Sequence, residues 1–151
     1  MTREPRLQIE LRGGGIVFRV KVNRTRTIQE ALRATGHTVH TEEGIVESAP
    51  GSEDIEMEIS FFKLGYFISD DNLEKEYDLR GLKAVDLYSL ATVNELKPTF
   101  SNKRPNGTHW KDKDGKWCRA VFSKWYDQLR LEIHCHNSEC EGGVWFAGVS
   151  K

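Results

Sequence analysis

The chain has 151 residues, of which 38% are hydrophobic, and its formal net charge is −1. This length fits a single domain, residues 1–151, that can bury its own core. The balanced charge disfavours nucleic acid or anionic lipid as a partner, and no run approaches the roughly 20 apolar residues that span a bilayer. The first residues lack the apolar segment of a secretory signal, so we expect a cytoplasmic, particle-associated or non-classically exported protein without membrane insertion.

The cysteines indicate a reducing environment. There are three of them, an odd number, and no two stand in a C-x-x-C pair. Small proteins stapled by disulfides carry paired cysteines at regular spacings. We therefore expect the cysteines to be reduced and do not expect a disulfide framework.

The first 60 residues predict a scaffold that opens with a hairpin. Residues 7–11 and 16–22 are strand-like, and the glycine run 13–15 divides them. This scaffold is expected to support the remainder of the domain.

A short helix is predicted over residues 28–34. Thr27 suits its N-cap, Glu30 is placed as the return partner of a capping box, and Gly36 is its stop signal. The polar stretch that follows, residues 37–54, is expected to be an exposed loop.

The middle of the chain predicts one strand and two helices. Residues 55–60 alternate between apolar and polar side chains and run into two phenylalanines, which indicates a strand with one buried face. Ser69 suits the N-cap of a helix over residues 70–79, whose acidic first turn matches the helix dipole. A second helix is predicted over residues 86–96.

The last third of the chain predicts strands. Turns are expected at residues 106–107 and 114–115, and the latter opens a hairpin into a strand over 117–124. Residues 126–128 then turn the chain into a strand over 129–136, and the final strand covers 144–149. Helices in the middle and strands at both ends indicate a mixed α+β domain.

The most informative strand is the one that begins at Leu129. Its residues alternate, with Leu129, Leu131, Ile133 and Cys135 on the inward side and Arg130, Glu132 and His134 on the outward side. The outward side mixes basic, acidic and imidazole groups without a shared chemistry. Trp125 and Tyr126, at the preceding turn, are the aromatic residues that we expect to be exposed. This pattern is more typical of a recognition surface than of a catalytic centre.

The densest group of potential metal ligands lies in the same region: His134, Cys135, His136, Cys140 and, upstream, Cys118. Zinc takes about four nitrogen or sulfur ligands in tetrahedral array. Strand alternation sends Cys135 inward and its histidine neighbours outward, so these residues cannot share one ion while the strand is intact. We therefore expect neither a metal nor a cofactor.

Three segments carry a resemblance to a known family. Residues 108–125 read T-H-W-K-D-K-D-G-K-W-C-R-A-V-F-S-K-W, residues 145–151 read W-F-A-G-V-S-K, and residues 86–95 read D-L-Y-S-L-A-T-V-N-E. The chain resembles, mostly over residues 60–151, the variable proteins of diversity-generating retroelements of archaeal, archaeal-virus or candidate-phylum bacterial type. The resemblance implies a C-type lectin-like α+β fold with two central helices and antiparallel strands at both ends. It also implies that the ligand surface, here within residues 117–149, is rewritten by adenine-directed mutagenesis.

Adenine-directed mutagenesis restricts which residues a varied codon can encode. Asn codons mutated at adenine yield Asn, Asp, His, Tyr, Ser, Gly, Cys and Arg among others, but never Glu, Gln or Lys. Residues that suit such codons are Ser123, Tyr126, Arg130, His134, His136, Ser138 and Gly142. Residues that the template itself must encode are Gln128, Glu132, Glu139 and Glu141.

The sequence thus predicts a non-enzymatic, receptor- or adhesin-type protein whose ligand is another protein on a cell or virus surface. Such paratopes use rigid amphipathic rings and small hydrogen-bonding groups. A second hypothesis is a small metal-dependent enzyme that uses His134, His136 and a nearby carboxylate; an intracellular nucleic-acid binder is a third. The predicted ligand-binding residues are Ser123, Trp125, Tyr126, Arg130, Glu132, His134, His136, Asn137, Ser138 and Gly142.

Overall fold

A computed structural model of the chain describes residues 8–12, 15–42, 44–135 and 142–151. Its helices are α1 (Ile28–Ala34), α2 (Asp70–Leu79), α3 (Leu87–Leu96) and α4 (Phe100–Lys103). Its strands are β1 (Gln8–Arg12), β2 (Gly15–Lys21), β3 (Thr38–Thr41), β4 (Glu56–Lys63), β5 (Leu82–Ala84), β6 (Asn106–Lys111), β7 (Trp117–Trp125), β8 (Gln128–His134) and β9 (Trp145–Ser150).

One sheet contains all of these strands. Eight of them lie in the order β1-β2-β4-β9-β6-β7-β8-β3. The short β5 pairs antiparallel with the last three residues of β9. Most neighbours are antiparallel, but β6 pairs parallel with β9 and β3 pairs parallel with β8. The chain is therefore a mixed α+β protein, as the sequence predicts. Among the described residues, no helix has the length and apolar character to cross a membrane.

The N-terminal hairpin is confirmed, since β1 and β2 pair antiparallel and β2 continues onto β4. Helix α1 has the predicted bounds and the predicted capping box. The hydroxyl of Thr27 accepts from the backbone N–H of Glu30, whose carboxylate accepts in return from the N–H of Thr27. These two bonds satisfy donors that the first helical turn leaves without intrahelical partners.

The two central helices are also confirmed. Helix α2 begins after Ser69, whose hydroxyl accepts from the N–H of Asn72. Helix α3 begins one residue later than predicted, because Asp86 is its N-cap and accepts from the N–H of Ser89.

The helices cover both faces of the sheet. Helices α1, α3 and α4 pack on one face, over a core that contains Phe18, Phe61 and Phe122. Helix α2 packs on the opposite face through Leu73 and Tyr77, in a second, smaller core. Adjacent residues of β4 and β9 point into different cores, so the middle of the sheet is buried on both sides.

The prediction of an exposed loop over residues 37–54 is wrong in part. Residues 38–41 form β3 at the edge of the sheet, and a short 3₁₀ helix, Val46–Ser48, packs Val46 into the larger core. The sequence does not indicate a strand here, because three of the four residues of β3 are polar and Val39 is the one apolar side chain. The strand forms because its backbone continues the hydrogen-bonding edge of β8.

The prediction of a turn at Asn106-Gly107 is also wrong. Both residues lie in β6 and are buried. Asn106 and Asn94 of α3 exchange side-chain hydrogen bonds of 2.8 and 3.2 Å, which satisfies two buried amides. A Cβ at Gly107 would lie 2.7 Å from the carbonyl oxygen of Ala120, so glycine lets β7 approach closely.

Candidate functional site

The β7–β8 hairpin positions most of the predicted ligand-binding side chains. Phe122 pairs with Leu131 and Ala120 with Ile133, and all four side chains are fully buried on the α1/α3 side. This inward row fixes the register, because a slip by one residue would expose it. The alternation predicted for the strand beginning at Leu129 is therefore confirmed.

The opposite face of the hairpin, which we call the outward row, contains Ser123, Arg130, Glu132 and His134. Ser123 is directly opposite Arg130 in the register. A guanidinium nitrogen of Arg130 lies 3.2 Å from one carboxylate oxygen of Glu132, and His134 Nε2 lies 3.5 Å from the other. The side chain of Glu132 is 36% exposed and that of His134 is 53% exposed, so both are accessible to a ligand.

Trp125 and Tyr126 form the tip of the hairpin. Trp125 is 54% exposed and Tyr126 is 87% exposed, and their rings stack with centroids 6.1 Å apart. The guanidinium carbon of Arg130 lies 4.9 Å from the centre of the Trp125 ring, a cation–π distance. The tip is thus joined to the outward row through Arg130.

Tyr126 has an unusual backbone conformation. It is the first of two turn residues between the paired Trp125 and Gln128, and its φ is +55°. It is the one described non-glycine residue with positive φ, and its turn neighbour Asp127 does not share this conformation. Positive φ at only the first central residue is the pattern of a type II′ turn, where glycine is preferred. A large aromatic residue there is strained.

Four of the predicted ligand-binding residues, His136, Asn137, Ser138 and Gly142, are not observed on this surface. His136, Asn137 and Ser138 lie outside the described residues. A Cβ at Gly142 would lie 3.1 Å from the backbone nitrogen of Tyr66, in the loop between β4 and α2. Gly142 therefore faces a neighbouring backbone, which leaves little space for a varied side chain.

Strand β3 adds residues to the surface that the sequence analysis did not identify. Thr38 pairs with Arg130 and His40 with Glu132 in the parallel register. The amide of Gln128 donates to the hydroxyl of Thr38 at 3.4 Å. His40 Nε2 is buried and has no hydrogen-bond partner among the described residues. The one sequence feature that could indicate this strand is the period-two pattern of Thr38–Thr41. It is a weak indication, because the segment has four residues and one apolar side chain.

The sequence also does not predict an ionic cluster between α2 and the sheet, formed by Asp70, Glu74, His109 and Arg119. His109 Nδ1 lies 3.0 Å from Asp70 Oδ1, and His109 Nε2 lies 2.8 Å from Glu74. Arg119 donates to the same Asp70 oxygen at 3.1 and 2.8 Å. The ring of His109 stacks on Trp117 at 4.2 Å. The sequence predicts Asp70 only as part of a helix N-terminus, because its partners lie about 40 and 50 residues away in the chain.

The cluster joins α2 to the sheet. Both ring nitrogens of His109 face carboxylate oxygens, so neither is available to a substrate or a metal. Arg119 is directly opposite His134 in the β7–β8 register. The cluster thus fixes the base of the outward row and has a structural role beside it.

The prediction of reduced cysteines is wrong. Cys118 at the start of β7 and Cys135 just after β8 form a disulfide, with their Cα atoms 3.9 Å apart. The two positions have no C-x-x-C spacing because strand pairing, and not chain proximity, brings them together across 17 residues. Cys135 is inward and His134 outward, as the alternation predicts, so these two adjacent side chains lie on opposite faces of the strand.

Comparisons of this chain with protein-family models, with curated proteins and with solved structures find no match. The hairpin presents an accessible surface of rigid aromatic rings and hydrogen-bonding groups above a buried row. The metal-enzyme hypothesis stays a prediction, because His136 lies outside the described residues.

Proposed function

We propose that this protein is a non-enzymatic ligand-binding protein that presents the β7–β8 surface to a protein on a cell or virus. The ligand surface comprises the outward row and the aromatic tip. On this proposal the chain is the variable protein of a diversity-generating retroelement, and residues 117–149 are its diversified region.

The observation that carries the proposal is the strained, exposed Tyr126. A tyrosine at φ +55° costs free energy that glycine would not. Its side chain is 87% exposed, so burial of the ring does not offset that cost. Strained backbone conformations cluster at positions that contact ligands. At such a position the side chain serves binding and not the stability of the fold. Tyrosine is also one of the residues enriched among the few that dominate the binding energy of protein interfaces.

The separation of inward and outward rows supports diversification of this surface. The inward row is buried, whereas the outward residues contribute few apolar contacts to the cores. Surface substitutions away from buried networks change stability by about 0.5 kcal/mol or less. A fold of this kind tolerates many versions of the outward row while keeping the same backbone.

The C-type lectin-like fold is part of the proposal, and the order of the elements supports it. Helices α2 and α3 stand in the chain between β4 and the antiparallel β6–β8 meander, and β9 returns to pair antiparallel with β4. Two central helices with antiparallel strands at both ends are what the family resemblance implies.

The proposal is tested with a display library that randomises Ser123, Tyr126, Arg130, Glu132 and His134. The library is selected against a panel of unrelated folded proteins. We expect most members to stay folded and specific binders to be recovered for several targets.

The matched control randomises exposed residues at the other end of the sheet, on β2 and β4: Arg19, Lys21, Glu56 and Glu58. Equal recovery of binders from this library would refute a special role for the hairpin. A second test reads the surrounding DNA. We expect a near-repeat of the codons for residues 117–149 that differs mainly at adenines, beside a reverse transcriptase gene. A locus without them would remove the retroelement from the proposal.

A further inference from the structure

The Cys118–Cys135 pair has a third potential metal ligand beside it. Asp112, in the turn between β6 and β7, lies so that one of its carboxylate oxygens and the two sulfurs are all within 4.8 Å of one another. Asp112 Oδ1 accepts the backbone N–H groups of Asp114 and Lys116, each at 2.9 Å. These two bonds hold the carboxylate in place within the turn that connects β6 and β7.

We propose that reduction of the disulfide creates a zinc site formed by Cys118, Cys135 and Asp112. Two thiolates and one carboxylate are ligands that Zn²⁺ accepts in tetrahedral sites, with a water in the fourth position. Zn–S bonds of about 2.3 Å in tetrahedral array separate two sulfurs by about 3.8 Å. In the disulfide the two sulfurs are bonded and therefore closer than this, so on reduction they move apart, while the Asp112 oxygen already lies within 4.8 Å of both.

The hydrogen bonds of Asp112 favour this role. Carboxylates that bind metals in proteins are themselves oriented by hydrogen bonds from surrounding groups. Asp112 Oδ1 receives two such bonds from backbone N–H groups, which do not depend on the identity of other side chains. The carboxylate is therefore oriented before a metal arrives.

The chemistry proceeds in two balanced steps. A dithiol reductant transfers two electrons and two protons to the disulfide, whose S–S bond breaks to give two thiols, while the reductant becomes a cyclic disulfide. Zn²⁺ then binds with release of the two thiol protons to solvent, because the thiolate and not the thiol is the ligand. The disulfide and the zinc site use the same two sulfurs and exclude each other.

The site gives the hairpin a crosslink in both redox environments. In oxidising surroundings the disulfide joins β7 to the end of β8, and in reducing surroundings the metal joins the same two positions and adds the β6–β7 turn. This inference does not depend on the proposed ligand-binding function, since the sulfurs lie on the inward side of the hairpin.

The test uses the full chain without a histidine tag. The protein is reduced with a phosphine and titrated with Co²⁺, and Zn²⁺ affinity is then measured against a chromophoric chelator. We expect one equivalent of Co²⁺ with thiolate charge-transfer bands and tetrahedral d–d bands, displaced by Zn²⁺. The oxidised protein should give neither signal.

Variants separate the ligands from the fold. Asp112→Asn keeps an oxygen that accepts both backbone N–H groups, and we expect it to weaken Zn²⁺ binding about 10- to 100-fold while the disulfide still forms on oxidation. Cys118→Ser with Cys135→Ser should abolish the charge-transfer bands, and Cys140→Ser should retain them. The inference fails if reduced protein binds Co²⁺ no better than oxidised protein, a comparison that needs no variant. Unchanged affinity in Asp112→Asn would remove the carboxylate from the site.

Discussion

Tyr77 lies directly against Gly148. A Cβ at Gly148 would be 2.9 Å from Cε1 of Tyr77 and 3.0 Å from the carbonyl oxygen of Lys83. The phenol of Tyr77 also donates a 2.7 Å hydrogen bond to the carbonyl of Ala147, and burial raises the pKa of this phenol far above its ordinary value. Helix α2 is thus held to β9 by one ring that has no space to move.

We expect Gly148→Ala to lower the free energy of unfolding by about 1–3 kcal/mol, because the added methyl group must displace a buried ring or the β5 backbone. Urea unfolding followed by circular dichroism measures this change. Gly51→Ala is the matched control, since nothing lies within 4 Å of a Cβ there. Equal stability of the two variants would show that the contact between α2 and β9 is loose.

We expect Asp70→Asn to destabilise the protein by about 3 kcal/mol. Asn removes the buried negative charge that faces both Arg119 and His109, and breaking a buried ion pair from one side is strongly destabilising. Asp71→Asn is the control on the next residue. It should cost less than about 1 kcal/mol, because residue 71 is exposed and an amide oxygen still accepts the Trp117 indole N–H. Thermal and urea unfolding of both variants give the comparison.

We expect acid to destabilise the fold through His37. Burial lowers the pKa of this imidazole below its ordinary value of 6.5. The neutral ring suits its partners, since Nδ1–H donates to the carbonyl of Thr35 and Nε2 accepts from the hydroxyl of Ser101. The unfolded chain therefore binds a proton that the folded chain resists. The stability from the neutral ring is complete above pH 6.5 and is lost as the pH falls below that value toward the lower folded pKa.

The measurement compares wild type with His37→Gln by urea unfolding between about pH 7.5 and about pH 5. The difference between the two proteins isolates one titrating group, and its slope is at most about 1.4 kcal/mol per pH unit. A difference that stays constant with pH would contradict the role of burial.

The inward and outward rows of β8 should respond very differently to truncation. We expect Leu131→Ala to cost about 2–5 kcal/mol, because Leu131 is fully buried against Phe122. Glu132→Ala, at the adjacent residue on the other face, should change stability by about 0.5 kcal/mol or less. Comparable losses would show that the outward row stabilises the fold and cannot vary freely.

Tyr126→Gly should stabilise the protein by about 1 kcal/mol, since glycine adopts positive φ without strain. Asp127→Gly should instead lower stability, because residue 127 does not have positive φ and glycine there only adds freedom to the unfolded chain. Calorimetry of the two variants distinguishes these effects. A destabilised Tyr126→Gly would mean that the ring supports the turn, which would weaken its assignment to ligand binding.

The sequence was sufficient where a local rule determines the structure. Helices α1 and α2 have the predicted bounds because Thr27 and Ser69 cap them through their own side chains. The inward and outward rows of β8 follow from alternation alone. Local rules do not describe β3, the Cys118–Cys135 disulfide or the cluster of Asp70 with His109. Each of these depends on a partner that strand pairing brings from a distant part of the chain.

The position of β3 also has a consequence for how the ligand surface could evolve. This strand borders β8 but comes from residues 38–41, outside the region 117–149 proposed to vary. Mutagenesis confined to that region would leave Thr38 and His40 the same in every copy. Each version of the ligand surface would then be bordered by the same β3 side chains. A feature common to all of its ligands would be recognised by these unvaried residues.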